Sequence, residues 1–87
     1  MTLNVYVTRN KKSGQYGKPA FEVMSEAQIK ESYTCSFLEA PEEQKLLLRE
    51  LEAYKIGEYN TETGKVEPCE PLFLLDLGSI DGKAKDN

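Results

Sequence analysis

Two stretches of alternating apolar and polar residues, 3–8 and 19–24, are separated only by residues 9–18. In the first, Leu3, Val5 and Val7 alternate with Asn4, Tyr6 and Thr8; in the second, Phe21 and Val23 share one side. A period of two marks a strand with one covered face. So short a linker lets the strands pair antiparallel, whereas a parallel crossover needs a dozen residues or more. The chain therefore opens with a hairpin, and the glycines of Ser13-Gly14 and Tyr16-Gly17 supply the positive φ that lets it turn, leaving a long, mobile tip.

The periodicity then changes. Ser25 followed by Gln28 is a capping-box pattern, and Glu26 falls in a first turn, where the helix dipole favours an acid. Ile29, Tyr33 and Phe37 recur at a spacing of four, on one face of a helix that Ala40-Pro41 ends. Pro41 can open a second helix, with Leu47, Leu48 and Leu51 as its apolar stripe and Lys45 and Arg49 as a charged one. Helix gives way to strand between Leu51 and Lys55.

Tyr54-Lys-Ile-Gly-Glu-Tyr59 reads as a strand, Asn60-Thr-Glu-Thr-Gly64 as a turn and residues 65–67 as the returning strand. Pro68 and Pro71 are expected to stop regular pairing around Cys69. The apolar run 72–75, with Leu77, closes the core, to which Tyr33, Phe21, Phe37 and Phe73 are also assigned. The expectation is a single α+β domain over residues 1–77: a small antiparallel sheet built from two β-hairpins, with one or two helices packed on one face. Residues 78–87 lack any pattern and are expected to be a disordered tail.

A chain of 87 residues buries only a modest core, so a homodimer or higher oligomer is a natural way to gain stability. It has no histidine, which removes the commonest general base and metal ligand. Cys35 and Cys69 are too few for a disulfide framework and are expected to be reduced thiols. No apolar run approaches the ~20 residues of a membrane span. The acid pairs Glu42/Glu43 and Glu67/Glu70 read as solvated surface, so no catalytic residue, metal site or cofactor is expected and the chain is not read as an enzyme.

The net charge of −4 is unevenly spread. Residues 1–18 hold four positive charges and no acid, while the remainder sets seven positive charges against fifteen acids. The acid-free stretch is the first hairpin tip. Arg9, Lys11, Lys12 and Lys18 are candidates to hold a nucleic-acid backbone, and Tyr16 to stack on an unpaired base. Tyr6, Tyr54 and Tyr59 on adjacent strands could extend that stacking surface. On the residues alone, the favoured reading is an ordinary hairpin tip solvated by its lysines, with the tyrosines half-buried.

Three features, in order, resemble the small non-structural protein of the gokushoviruses, tailless microviruses with circular single-stranded DNA genomes. They are the turn and aromatic strand from Lys12 to Phe21, the run Leu51-Glu-Ala-Tyr-Lys-Ile-Gly-Glu-Tyr59, and Asn60-Thr-Glu-Thr-Gly64 leading through Val66 to Pro68-Cys-Glu-Pro-Leu-Phe73. Asn60 stands where the family often has Asp, and residues 25–50 match only in character. The resemblance implies a DNA-binding accessory protein of phage genome replication or packaging, acting in the host bacterial cytoplasm and absent from the virion. Single-stranded DNA is then the expected partner. The alternative expectation is a protein-interaction module that engages a phage replication protein or a host factor through its acidic surface or a strand edge.

Overall fold

A computed structural model describes residues 1–80. Four strands, β1 (Thr2–Asn10), β2 (Ala20–Glu22), β3 (Leu51–Asn60) and β4 (Val66–Asp76), form one antiparallel sheet in the order β2-β1-β3-β4. Two helices, α1 (Glu26–Glu39) and α2 (Glu42–Leu48), lie between the hairpins in sequence. The architecture is α+β, two hairpins joined along β1 and β3, as the alternation indicates.

The two hairpins close with the same turn. Asn10 Oδ1 accepts from the N–H groups of Lys12 and Ser13 at 2.8 and 3.0 Å, and Asn60 Oδ1 accepts from those of Glu62 and Thr63 at 2.8 and 3.2 Å. Gly14 and Gly64 each donate an N–H at 2.8 Å to the carbonyl of the turn's own asparagine. Both glycines are left-handed, with φ of 75° and 73°. The motif is Asn-x-x-(Ser/Thr)-Gly, an Asx turn ending in the one residue that takes positive φ without strain. The first tip is thus held by its own hydrogen bonds and is not the open loop expected. An added Cβ at Gly64 meets nothing within 4 Å, so Gly64→Ala isolates the backbone cost. It is expected to lower stability by about 1 kcal/mol in urea titration, from left-handed strain alone.

Helix α1 starts as its sequence directs. Gln28 N–H donates to Ser25 Oγ at 3.3 Å and Ser25 N–H donates to Gln28 Oε1 at 2.9 Å, completing the capping box. Ile29 and Phe37 are buried, and Tyr33 packs beside them. Together with Tyr6, Ala53, Leu74, Leu77 and Ile80 they form the core between the helices and one face of the sheet.

Several expectations are corrected. Tyr6 is not on an exposed platform. It is fully buried in that core, and its hydroxyl donates to the Met24 carbonyl at 2.7 Å. Phe21 and Phe73, assigned to the core, are 46% and 53% exposed on the other face. Pro41 is the N-cap of α2 and not its first residue. Of the expected apolar stripe, Leu48 and Leu51 pack against the core but Leu47 points to solvent, while Lys45 Nζ and Arg49 Cζ lie 5.7 and 5.8 Å from the centre of the buried Phe37 ring. Long cationic side chains can cover an aromatic ring with the charge still wet. Strand β3 begins at Leu51, with no helical turn beyond it.

The prolines interrupt regular pairing around Cys69, as expected, although β4 runs through both. They are tolerated because β4 is an edge strand, where a missing donor costs no ladder bond on the solvent side. The ladder is irregular there: between Lys55↔Leu72 and Gly57↔Pro68, Ile56 stands opposite three residues of β4. A second bulge omits Leu74 between Ala53↔Leu75 and Tyr54↔Phe73, and lets Leu74 and Leu75 both reach the core. Residues 77–80 form a helical turn with Ile80 buried, where a tail was expected from 78. Asp76 starts it: its carboxylate accepts the Gly78 N–H at 2.9 Å, and its carbonyl accepts the Ser79 hydroxyl at 2.7 Å. The rest of the expected tail, 81–87, lies outside the described residues.

Candidate nucleic-acid interface

The face of the sheet opposite the helices is the candidate site. Register places Leu3 beside Tyr59, Val5 beside Phe21, Val7 beside Tyr54 and Arg9 beside Glu52, so these side chains share one face. Tyr54 pairs in turn with Phe73. Val5 and Val7 are buried although neither belongs to the helix-side core, and the flanking rings cover them. The rings meet edge to face in two groups. Tyr16–Tyr54 and Tyr54–Phe73, with centroids 5.9 and 5.8 Å apart, form one group. Phe21–Tyr59, at 5.4 Å, forms the other. Tyr54 and Tyr59 are five residues apart on one strand, so the groups are separated by roughly 17 Å along it.

Of the predicted stacking residues, the fold brings Tyr16 and Tyr54 together and sets Tyr59 at the far end. It takes Tyr6 away altogether and adds Phe21 and Phe73. A sequence signal for the added pair exists in the alternation itself, since Phe21 has the parity of Val5 across the hairpin. What the alternation does not say is which face the helices cover.

The hairpin tip is placed by both its own turn and its neighbours. Tyr16 bridges back to Arg9, whose guanidinium carbon lies 5.8 Å from the Tyr16 ring centre. Arg9 Nη1 also reaches Glu52 Oε1 at 3.4 Å, and Tyr54 donates its hydroxyl to the same oxygen at 2.9 Å. That bond to a carboxylate is the main reason the Tyr54 hydroxyl is harder to ionise than usual. Lys11 Nζ bonds Asp76 Oδ1 at 2.7 Å, and Lys12 Nζ bonds Glu50 Oε2 at 2.8 Å. The latter pair holds the Lys12 ammonium above and the Glu50 carboxyl below their ordinary pKa values, through the hydrogen bond first and charge second for Lys12.

The tip is therefore less basic than the sequence suggests. Three acids from β4, β3 and the residue preceding β3 answer three of its four cations, and Lys18 alone has no ion pair among the described residues. Exposed pairs of this kind hold little energy, so an incoming phosphate can compete for Lys12 at small cost. Arg9 is half-buried.

Two shallow clefts are lined mostly by residues that the register places on the other, helix-side face. One, of about 280 Å3, is lined by Thr8, Asn10, Ser13, Gln15, Tyr16, Gly17 and Leu51. The other, of about 190 Å3, is lined by Thr2, Glu58, Asn60 and Glu67, and its two carboxylates would repel a phosphodiester. Among the described residues no three Cys, Asp or Glu side chains gather where they could hold a metal ion, and no helix is long and apolar enough to cross a membrane. Comparison of the chain with protein-family models, with curated proteins and with solved structures finds no match.

Proposed function

We propose that the chain is a single-stranded DNA-binding accessory protein of phage genome replication or packaging. It would work in the host bacterial cytoplasm and outside the virion, as the gokushovirus resemblance implies. The observation that carries this reading is the helix-free sheet face, where Tyr16 and Phe73 stand half exposed beside Tyr54. Unpaired bases stack on such rings whatever their sequence, for about 1–3 kcal/mol each. Arg9 and Lys18 supply adjacent positive charge. With most of the tip's cations already answered by acids, each copy binds weakly, and a homodimer or larger assembly gains by acting on one strand together.

The test is fluorescence anisotropy with a labelled single-stranded oligonucleotide at low salt. Binding is expected, and the double substitution Tyr16→Ala with Phe73→Ala is expected to weaken it about thirty-fold, corresponding to two lost stacking contacts at the low end of their range. Each phosphate contact contributes about −0.7 to the slope of log K against log salt. A slope near −1 is expected if Lys18 acts nearly alone, against about −3 if all four cations engage. Failure to bind at about 100 µM protein, the weak end of nonspecific affinity, would sink the proposal.

One observation favours a second reading. Residues 66–73 of β4 are all exposed, and they set Val66, Leu72 and Phe73 among Glu67 and Glu70. This suits a protein partner with an apolar, basic surface, such as a phage replication protein or a host factor. Pro68, Pro71 and the bulge blunt the strand edge, so such contact runs through side chains. In a pull-down from infected cells with and without nuclease, a captured protein that survives nuclease treatment, while no oligonucleotide binds in the anisotropy test, identifies this reading.

A further inference from the structure

An antiparallel sheet that packs one face on a core commonly shows a polar face to water. The helix-free face here does not. Among the paired residues, register gives it only three charged side chains, Arg9, Glu52 and Asp76, all at the end beside the Asn10–Gly14 turn. Each is already answered, Arg9 by Glu52 and Asp76 by Lys11. The other paired positions of this face hold aliphatic or aromatic side chains, glycine or proline. Val5 and Val7 are covered, but Tyr16, Phe21, Val66 and Phe73 stay about half exposed.

We infer that this face is the interface of a homodimer, in which two copies pack sheet on sheet with their helices outside. Charge selects a second copy as the occupant. The chain carries −4 overall, so two copies repel over most of their surface. On this face the two cations and two acids cancel locally, so like copies meet there without repulsion, and a strongly charged partner finds no counter-charge. Area agrees. The ten residues of β3 at about 3.3 Å each, and four strands about 4.8 Å apart, outline roughly 600 Å2, with Tyr16 continuing the row of β2 beside Arg9. Two copies together then bury about 1,200 Å2, the lower bound for a specific interface. The consequence is that the rings serve one occupant at a time. Off DNA, two copies cover each other's rings; on a strand, copies lie side by side with their rings on the bases. Only this exclusion rests on the proposed DNA platform; the dimer itself does not.

The test is sedimentation equilibrium of the full chain without nucleic acid, from ~1 to ~500 µM protein, a range suited to a small interface. A dimer is expected. It should hold or tighten as salt rises, because salt screens the repulsion between acidic chains and leaves apolar contact in place. Phe73→Asp is expected to raise the dissociation constant about thirty-fold, the size of a lost hot spot. Val66→Asp, at the other end of β4, probes the same face independently, and Leu47→Asp, exposed on α2, should leave the dimer unchanged. Thermal unfolding of each variant checks that the fold is kept. Loss of the dimer in either folded β4 variant, with Leu47→Asp intact, supports the interface. A chain that stays monomeric throughout, or a dimer that the folded β4 variants leave intact, overturns it. Excess thymine oligonucleotide is then expected to dissociate the dimer; an oligonucleotide that binds while the pair stays whole also overturns the inference. If the β4 variants break the dimer but no oligonucleotide binds, the interface stands and the DNA platform fails.

Discussion

Replacing Phe37 by alanine is expected to lower the stability of the domain by about 3–5 kcal/mol, the range for truncating a fully buried aromatic ring. Small domains have only about 5–15 kcal/mol in total, so this change alone should leave the chain close to unfolding at room temperature. Phe37 is fully buried, and it does more than fill space. Helix α2 has no buried residue and no side-chain N-cap. Its attachments are the partly buried Leu48 and the stems of Lys45 and Arg49 laid over the Phe37 ring. Without the ring, α2 loses the surface it rests on. The check is urea denaturation followed by circular dichroism, with Leu47→Ala as the control. Leu47 is 68% exposed, and its replacement should change stability by less than about 0.5 kcal/mol. If Phe37→Ala cost no more than Leu47→Ala, the core described above would be misassigned.

Gly57→Ala is expected to destabilise by about 1–3 kcal/mol, the usual penalty for forcing extra volume into a packed site. The sign makes this informative. In the middle of an ordinary strand, alanine is more stable than glycine by about 0.5–1 kcal/mol, because glycine loses more freedom on folding. Here a Cβ would stand 2.6 Å from the Glu67 carbonyl oxygen and 3.1 Å from Pro68 Cα. Both are backbone atoms, so no side-chain rotation relieves the contact. The clash lies where β4 bulges opposite Ile56, and relieving it would push the edge strand away from β3. Equilibrium denaturation of the two proteins decides it, and an increase in stability would show that β4 does not approach β3 as closely as described.

Much of the fold could be read from short-range pattern. The capping box at Ser25 and Gln28, the face made by Ile29, Tyr33 and Phe37, and the Asn60–Gly64 turn depend on neighbours a few residues apart, and each is present as its chemistry demands. The Asn10–Gly14 turn is legible in the same way, since Asn10 and Gly14 carry the same signal as Asn60 and Gly64. What short-range pattern cannot supply is which side of an amphipathic element is covered. The apolar face of β1, with Leu3, Val5 and Val7, is not the one the helices cover; Tyr6, on the polar face, is buried there with its hydroxyl on the Met24 carbonyl. The same ambiguity turns Leu47 outward and brings Lys45 and Arg49 over the Phe37 ring. The electrostatics of the candidate site are the least legible of all. Glu50, Glu52 and Asp76 lie some 40 to 65 residues from the lysines and arginine they answer, and only the strand order brings them to the tip.

The paired Asn-x-x-(Ser/Thr)-Gly turns have a consequence for how such a chain can change over time. In each, the backbone needs only the asparagine, the hydroxyl residue and the glycine; the two positions between are under no geometric demand. One turn fills them with Lys11 and Lys12 and the other with Thr61 and Glu62, and because β1 and β3 run in opposite directions these turns cap opposite ends of the sheet. The backbone therefore behaves as a bar with identical sockets at its two poles. Charge at either pole can be rewritten by two substitutions that cost only surface contacts, those to Asp76 and Glu50 at one end and to Met1 at the other, so a lineage can retarget one end of the molecule while the other keeps its contacts.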